Sequence, residues 1–534
     1  MKTCIRALLV YATISSVALA QGLDSSAPPD DPLAEADIGP HHRIVEWMTA
    51  DSDADGNLVE VPNRYIELAT GLNWWNPLSQ AWEPSVEAFE ITPKGYAVAV
   101  QGQHKLILAP NINEGGSVDL ELPDGQRLRS NPMGLTYFDA SSGKNVLLAE
   151  VQDCVGELVT PNVVIYFDCF DRIKGALRYT YTRSGMEQDV IILESIGSPA
   201  LYGLDPDTTR LEMYTEFFDP PSPQKAVRKV DRDASPGKVD EVLGTERAEE
   251  ELGAADTEEG SPDEELSFGS MAMGPGVAYL LNDTMEPVPV AKQWLETEDG
   301  RKFLSESVPY RDVEEPLERI EDPGAAIPRL DASSLARRTV EGRKALAGSL
   351  AQRAARDNQE VLIAGIRPGQ WRAGAGLVLD YTTILTGQTN CVLKGDETYY
   401  VTGQTYLYGT IVVEAGTVVK YPNTNSAGLY IRGTVDFQTT PYRPAVFTAK
   451  DDNTVGQTIP GSSGTPTGRY SAWALQFNNN TAAANVHHVR VAHAVYGVLF
   501  YAQRGHSVRH CQFLQCSTPI YTSSGFTGNI ELQN

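Results

Sequence analysis

The C-terminal part of this acidic chain lacks acidic residues. The chain contains 70 Asp and Glu against 43 Lys and Arg, a formal net charge of -27, yet residues 453–530 contain neither Asp nor Glu. Glycosidases need two carboxylates about 5 to 10 Å apart, and a calcium-dependent lyase needs carboxylates around the ion. This stretch cannot supply either set by itself. Nearby, Asp451 and Asp452 stand in "KDDN", which is typical of a solvated loop.

Several catalytic and metal-binding motifs are also missing. The chain has no GxSxG nucleophile elbow, no Walker loop, no HExxH zinc motif and no CxxC spacing. Asp51, Asp53 and Asp55 precede Gly56 with the spacing of an EF-hand calcium loop, but Pro62 occupies the twelfth position, where that loop needs a glutamate. The segment is therefore interpreted as a hairpin turn. Neither a metal nor another cofactor is predicted.

Long apolar runs are absent after the N-terminus. Lys2 and Arg6 make a basic start, "ALLVYATISSVALA" is apolar, and Ala18 and Ala20 form a small-x-small cleavage site, so residues 1–20 are interpreted as a secretory signal peptide. No later run of about 20 apolar residues could cross a membrane. The product is expected to be secreted, extracellular or at the cell surface.

Positive charge is too scarce for nucleic acid to be the expected partner. Loss of Lys2 and Arg6 with the signal peptide lowers the formal net charge from -27 to -29. Phosphate binding needs clustered lysine and arginine, so a surface this acidic argues against nucleic acid and against anionic membranes.

Cysteine is scarce as well. Five cysteines follow the cleavage site: Cys154, Cys169, Cys391, Cys511 and Cys516. In an oxidising compartment Cys154 and Cys169 can form a disulfide, because a hairpin folded about Pro161-Asn162 sets them directly opposite each other. Free thiols are the alternative, and one cysteine must remain unpaired in any case.

Residues 41–322 are predicted to form a β-sandwich-like domain. Short runs that alternate apolar and polar residues, such as "GYAVAVQGQHKLILAP" and "ALRYTYTRSGMEQDVIIL", are separated by turn signals, and half-buried sheets of this kind cover their apolar faces by packing on one another. Residues 221–265 interrupt the pattern. Ten of the twenty residues from 246 to 265 are Asp or Glu, so this segment is predicted to be a disordered acidic insertion.

Residues 323–375 are predicted to be a linker that carries a basic amphipathic helix. In "LARRTVEGRKALAGSLAQRAARDN", Leu335, Thr339, Gly342, Leu346 and Leu350 fall on one helical stripe, and basic residues occupy the remainder. A helix that connects two adjoining domains is the preferred interpretation, and a membrane or partner helix is the alternative.

Residues 376–534 contain short repeats without helices. "YLYGTIV" recurs as "YIRGTVD" 24 residues later, so Gly409 matches Gly433. Further on the spacing becomes 22, with Val489 matching Cys511 and Val508 matching Ile530. A period of about 20 to 25 residues made of short strands indicates a solenoid of stacked parallel strands. The last repeat stops without a polar cap, so an incomplete solenoid is expected.

"GDETYYVTGQTYLYGTIVVEAGTVVKY" and "AVFTAKDDNTVGQTIPGSSGTP" resemble the opening coils of exported bacterial right-handed parallel β-helix repeat proteins. "YIELATGLNWWNPLSQAWEPS" is similar to the β-rich leader region of the same proteins and of large Rhs-like surface proteins. The resemblance implies a mainly β chain with a right-handed parallel β-helix at its C-terminus. It implies no catalytic residues, because β-helix proteins include enzymes, tailspikes and adhesins alike.

The segment "NVHHVRVAHA" raises the question of a site. In the 22-residue register Val489 and Val491 point inward and Arg490 points outward, while His488 falls above His510 in the next coil. A tetrahedral metal site needs three or four ligands, so this pair is interpreted as surface decoration. Together with Arg490 and Arg509, in a stretch without acids, His488 and His510 are predicted to bind an anionic polymer.

The predicted function is therefore that of a structural or binding module. Its solenoid face would engage a polysaccharide or a cell-surface protein, and no catalytic residues are assigned. The alternative is a polysaccharide-active lyase or hydrolase whose catalytic coils lie beyond residue 534.

Overall fold

A computed structural model describes most of the chain. It covers residues 37–534 except 54–55, 231–260, 275, 282–287, 321–364, 373, 425, 479–481, 502–503, 523–525 and 527. The predicted signal peptide and the predicted basic helix lie outside the described residues. Within them the protein is mainly β, with a sheet-rich N-terminal region and a parallel β-solenoid of about six coils, as predicted. No helix in this part of the chain is long and apolar enough to cross a membrane.

Two hairpins open the described chain. The first consists of β1 (Ile38–Gly39), β2 (His42–Ser52) and β3 (Leu58–Leu68), which pair antiparallel. The second consists of β4 (Asn73–Asn76) and β5 (Ala81–Pro84). Trp75 and Trp82 are direct cross-strand neighbours in the second hairpin, with ring centroids 5.6 Å apart. Such a pair stabilises a two-stranded ribbon, and Asn73 ties the ribbon to the first hairpin by donating to the carbonyls of Gly39 and His42.

Among the described residues, the sheet-rich region contains nineteen further strands, one α-helix and a short 3-10 helix. They are β6 (Glu90–Ile91), β7 (Ala97–Ala99), β8 (Lys105–Leu108), β9 (Val118–Glu121), β10 (Arg127–Asp139), β11 (Asn145–Glu150), β12 (Glu157–Thr160), β13 (Val163–Phe167), β14 (Gly175–Thr182), β15 (Gly185–Ile192), the 3-10 helix (Pro199–Tyr202), β16 (Thr209–Phe218), β17 (Gln224–Val230), β18 (Ser261–Ser267), β19 (Met271–Met273), β20 (Gly276–Leu280), β21 (Val288–Glu296), β22 (Lys302–Pro309), α1 (Tyr310–Glu318), β23 (Arg367–Pro368) and β24 (Leu377–Leu385).

These strands form one closed, mainly antiparallel set in which two sheets enclose one core; we call this region the sandwich. The first sheet contains β6 to β11, β16 and β22, and the second contains β12 to β15, β17 to β20 and β24. β21 joins them, because Val288 to Val290 pair with β20 and residues from Ala291 onward pair with β22. Leu135 of the first sheet and Leu177 of the second belong to the same buried hydrophobic cluster.

The acidic insertion is structured at both ends, contrary to the prediction for residues 221–265. β17 and β18 pair antiparallel, and residues 231–260 between them lie outside the described part. Asp263 and Glu264 accept hydrogen bonds from the backbone N–H groups of Lys292 and Trp294, at 3.0 and 2.7 Å. β18 thus supplies acceptors to β21 where that strand passes between the sheets, and acidic residues are ordered because they satisfy backbone donors.

The predicted register of the cysteine hairpin is wrong. The pairing of β12 with β13 shifts at a bulge between Leu158 and Thr160. Farther from the turn of this hairpin, the N–H of Gln152 donates to the carbonyl of Cys169 at 2.8 Å. Cys154 is therefore not opposite Cys169, and both are free thiols. The Sγ of Cys154 donates instead to the carbonyl of Phe167 at 2.9 Å.

The solenoid is built from fifteen short strands. They are β25 (Gln388–Thr389), β26 (Val392–Leu393), β27 (Thr398–Val401), β28 (Gln404–Glu414), β29 (Val418–Tyr421), β30 (Gly428–Gln438), β31 (Ala445–Ala449), β32 (Ser471–Phe477), β33 (Asn485–His487), β34 (Val489–Ala492), β35 (Ala494–Phe500), β36 (His506–Arg509), β37 (Gln512–Leu514), β38 (Thr518–Thr522) and β39 (Ile530–Gln533). They stack in parallel as three sheets: β27-β29-β31-β34-β37, β25-β28-β30-β32-β35-β38 with β26 also paired to β28, and β33-β36-β39.

The predicted repeats are confirmed except in the last coil. Gly409 pairs with Gly433, and Val498 pairs with Ile520. Val508, however, pairs with Leu532 and not with Ile530, so the last coil is two residues longer than the 22-residue spacing predicted. Inward apolar side chains of all the coils form one buried cluster, which is the core that the repeats were expected to build.

The strand pairings place two boundaries differently from the prediction. β3 pairs in parallel with β27, Ile66 opposite Tyr399, so the first hairpin extends a solenoid sheet and is no part of the sandwich. β24, predicted to begin the solenoid, pairs with β15, β19 and β20 in the sandwich. Only Thr386 and Gly387 separate β24 from β25. A Cβ on Gly387 would lie 1.9 Å from the carbonyl oxygen of Tyr406, so this close passage requires glycine.

The long excursion between β31 and β32 packs on the solenoid. Ile459 is buried against Trp47 and Tyr65 of the first hairpin. Beneath the excursion, Lys420 is fully buried and donates from Nζ to the carbonyls of Asp452 and Gln457, at 2.8 and 2.6 Å. Burial lowers the pKa of Lys420 to about 8, against the opposing effect of Asp452. The excursion is therefore a fixed cover on this face.

Candidate functional site at the histidine corner

Single residues in the left-handed conformation turn the chain between the solenoid sheets. His488 lies between β33 and β34 with φ 48°, and His510 follows β36 with φ 52°. His493 and Gln515 do the same before β35 and β38, with φ 59° and 54°. Few residues other than glycine adopt this conformation, although histidine does so more readily than most. The left-handed residues recur because the chain turns at the same place in successive coils.

We call the group His487, His488, Arg490, Arg509 and His510 the histidine corner. The rings of His488 and His510 stack with centroids 5.2 Å apart and an interplanar angle of 22°, which confirms their predicted superposition. The Nδ1 atoms of His487 and His488 are 3.0 Å apart. A contact between two imidazole nitrogens requires one to donate and the other to accept, so the two Nδ1 atoms cannot both carry a proton without repulsion.

The pKa of His487 is lowered, first by burial and then by the neighbouring His488, while Asp436 opposes the shift. His487 therefore stays neutral to a lower pH than an isolated imidazole does. His510 lies at the surface, and His488 is half-buried. The corner thus contains imidazoles in different environments, and it gains charge as the pH falls.

The two arginines lie on either side of the corner, not on one face as predicted. Arg490 points outward from β34, because Val489 and Val491 beside it are buried. Arg509 lies on β36, where it is the direct neighbour of His487 on β33. The sheets that contain β34 and β36 meet at His488 and His510. The cationic side chains consequently surround a convex edge of the solenoid.

Arg509 is partly neutralised, which the sequence reasoning missed. Its Nη2 lies 2.6 Å from Glu531 Oε2 in the next coil. The signal was present, because Glu531 ends the acid-free stretch one coil after Arg509. Arg490 forms no ion pair with a carboxylate among the residues that the structure describes. Arg490 is therefore the main source of permanent positive charge at this edge.

Metal binding gains no support from the geometry. Within the described ranges, no group of three or more His, Cys, Asp or Glu side chains is arranged to hold a metal ion. The Nδ1 atoms of His487 and His488 contact each other. A zinc site would need three or four protein ligands around one point.

A cleft elsewhere on the solenoid contains carboxylates that were not singled out from the sequence. It has a volume of about 410 Å³ and is lined by Gly395, Asp396, Glu414, Ala415, Gln438 and Arg443. Oε2 of Glu414 accepts a hydrogen bond from the N–H of Gly395 at 2.9 Å. This carboxylate therefore fixes the turn of the preceding coil, a structural role that accounts for its place in the cleft.

Comparison with known proteins identified no relative of this chain. No family model, no curated protein and no solved structure matches it. The resemblance of its N-terminal region to Rhs-like leaders therefore remains a prediction.

Proposed function

We propose that the protein is a binding module outside the cell, and that its histidine corner engages an anionic polymer such as an acidic polysaccharide. The observation that carries this proposal is the edge formed by Arg490, Arg509 and the stacked rings of His488 and His510. On a chain with a net charge of -27, these groups concentrate positive charge in one place.

The solenoid supports this role mechanically. Its coils are held in register by parallel backbone hydrogen bonds, and Val489, Val491 and Val508 anchor the inner side of the same strands in the core. Groups on a rigid scaffold lose little conformational freedom on binding, and most of their electrostatic attraction is therefore retained as affinity. Only the histidine position recurs at this edge, because His488 stacks on His510, whereas Arg490 pairs with Gln512 and Arg509 with Gln533 in the next coil.

Retention on immobilised polygalacturonate and heparin tests the proposal. The double variant Arg490→Glu with Arg509→Glu should elute at much lower salt than the wild type, because it reverses both guanidinium charges at the corner. Lys94→Glu with Lys144→Glu is the matched control, since both lysines are exposed in the sandwich and the change in net charge is the same. Equal elution of the two double variants, or no retention of the wild type on either polymer, would refute the proposal.

A further inference from the structure

The sandwich and the solenoid meet at a buried contact, which we call the junction. Ala272 and Ile384 of the sandwich form one hydrophobic cluster with Tyr406 and Tyr430 of the solenoid. The two tyrosine rings are tilted by 34° against each other, with centroids 4.4 Å apart. β24 of the sandwich continues into β25 of the solenoid through only two residues. Movement at the junction therefore changes the position of the sandwich relative to the solenoid.

Three carboxyl side chains lie in a row on the sandwich face that leads to the junction. Asp189 and Asp380 are direct neighbours on β15 and β24. Glu187 lies two residues before Asp189, and Ile384 four residues after Asp380, so all four share one face of the sheet. Glu187 also interacts electrostatically with the hydroxyl groups of Tyr406 and Tyr430. We call Glu187, Asp189 and Asp380 the acidic row.

The acidic row carries more potential negative charge than the nearby cations can balance. Arg178 binds Asp189 at 2.6 Å and donates from its other branch to the hydroxyl of Tyr279 at 2.8 Å. Lys292 also acts on Asp380, but its Nζ is bound to Asp263 at 2.9 Å. The charged or titratable side chains that influence the row or the junction tyrosines from the surrounding strands are Arg178, Tyr279, Lys292, Glu306, Tyr406, Tyr408, Tyr430, and Arg432 with its partner Glu265.

Two members of the row ionise near neutrality. Burial, followed by the charge of Asp189, raises the pKa of Glu187 to about 7, against the opposing effect of Arg178. Burial and then Asp189 likewise raise the pKa of Asp380 to about 7. Both carboxyls are therefore neutral in mildly acidic solution and become charged in mildly alkaline solution.

We propose that the acidic row makes the junction a pH-sensitive contact, which is closed in acid and weakened when the row ionises. This inference goes beyond the proposed polymer binding and involves a different part of the chain. Glu187 is the member of the row whose charge acts on Tyr406 and Tyr430, so the negative charge it acquires opposes the contact from the sandwich side. When the junction opens, water can solvate that charge.

The direction of the effect follows from proton linkage. A carboxyl with a raised pKa in the closed state holds a proton that the open state releases, so closing is favoured most at low pH. That advantage is lost as the pH rises from 4.5, the ordinary value for glutamate, to about 7, and it stays lost above 7. If opening returns Glu187 fully to water, the closing equilibrium weakens by at most about 300-fold across this range.

Urea unfolding of the full chain at pH 5 and pH 8, followed by pulsed hydrogen exchange and mass spectrometry, tests the inference. Peptides from β14 to β16 report on the sandwich, and peptides from β28 to β30 report on the solenoid. Coupled regions unfold together, so the wild type should show unfolding midpoints that lie closer together at pH 5 than at pH 8. Glu187→Gln keeps the shape of the side chain but cannot ionise, and its midpoints should be as close at pH 8 as at pH 5.

Two further variants make the result decisive. Glu90→Gln removes an exposed carboxyl of the sandwich and should behave like the wild type. Glu187→Asp keeps an ionisable group and should keep the pH response, while far-UV circular dichroism checks that each variant is folded. The effects of other titrating groups on the unfolding midpoints cancel when variants are compared at the same pH. A separation of midpoints that does not change with pH in the wild type, or that changes equally in Glu187→Gln, would overturn the inference.

Discussion

Arg432 of the solenoid donates from Nη1 to Oε1 of Glu265 in the sandwich, at 3.1 Å. The guanidinium carbon also lies 5.8 Å from the ring centroids of both Tyr406 and Tyr408. The Arg432 side chain is 1% exposed and that of Glu265 is 20% exposed. The last acid of the predicted disordered segment is thus part of a buried ion pair that ties the two regions of the chain together.

Loss of Arg432 should strongly lower the free energy of unfolding. Arg432→Met removes the buried cation and leaves Glu265 without its partner, which costs about 3 kcal/mol in the free energy of unfolding for pairs of this kind. Arg319→Met breaks an exposed pair with Glu315 on α1 and should cost less than about 1 kcal/mol. Urea denaturation at pH 6 measures both variants. Equal costs would show that the buried pair contributes no more than the exposed one.

The cover formed by the excursion between β31 and β32 depends on Ile459. Because this side chain is 1% exposed, Ile459→Ala should lower the free energy of unfolding by about 3 kcal/mol through lost contacts and the cavity that remains. Leu78→Ala, at a side chain that is 93% exposed, should change it by less than about 0.5 kcal/mol. Thermal unfolding followed by circular dichroism provides the comparison. A cost for Ile459→Ala as small as that of the control would mean that the excursion does not pack on the hairpin.

The passage from β24 to β25 should not tolerate a side chain. Gly387→Ala places a Cβ against the backbone of Tyr406, where no side-chain rotation can relieve the clash, so the variant should unfold at markedly lower urea concentration than the wild type. At Gly115 an added Cβ meets nothing within 4 Å, and Gly115→Ala should leave the urea midpoint almost unchanged. Indistinguishable midpoints for the two variants would contradict the close passage.

A buried histidine should make the fold sensitive to acid. Nδ1 of His41 accepts a hydrogen bond from the N–H of Gly71 at 3.0 Å, and burial, followed by His42, lowers the pKa of His41 to about 4. The unfolded chain binds a proton at about 6.5 and the folded chain only at about 4, so the folded state loses stability as the pH falls between these values.

His41→Gln cannot titrate, so its urea midpoint should rise relative to that of the wild type as the pH is lowered from 6.5 to 4. Leu78→Ala, at an exposed side chain that does not titrate, is the control and should follow the wild type throughout. A constant difference between His41→Gln and the wild type over this range would exclude the proposed role of His41. The expected trend is opposite to that of the acidic row, which loses its stabilising effect as the pH rises.

The solenoid was predictable from the sequence because its order is local. Gly409 and Gly433 stack because identical coils repeat after 24 residues, and the 22-residue register correctly superimposed His488 on His510. The same register could not show that both histidines adopt left-handed backbone conformations, since a repeat period reports stacking and not backbone angles. It also failed in the last coil, where Val508 pairs two residues farther on.

Long-range pairing explains what the sequence did not reveal. Ile66 pairs with Tyr399 across more than three hundred residues, and no local pattern distinguishes such a strand from one in a sandwich. One bulge in the cysteine hairpin was enough to change which residue faces Cys169, because register depends on every residue between. Asp263 and Glu264 looked like part of a solvated segment, but the backbone donors of β21 hold them, together with the ammonium groups of Lys292 and Lys225.

The salt dependence of polymer binding tests the central proposal most directly. For each phosphate-like contact made by an arginine, the slope of log K against log salt concentration changes by about 1. The account predicts that Arg490→Glu with Arg509→Glu reduces the slope for polygalacturonate by about 2 and that Lys94→Glu with Lys144→Glu leaves it unchanged. An identical slope for the wild type and the Arg490 and Arg509 variant would contradict the assignment of the histidine corner as the binding surface.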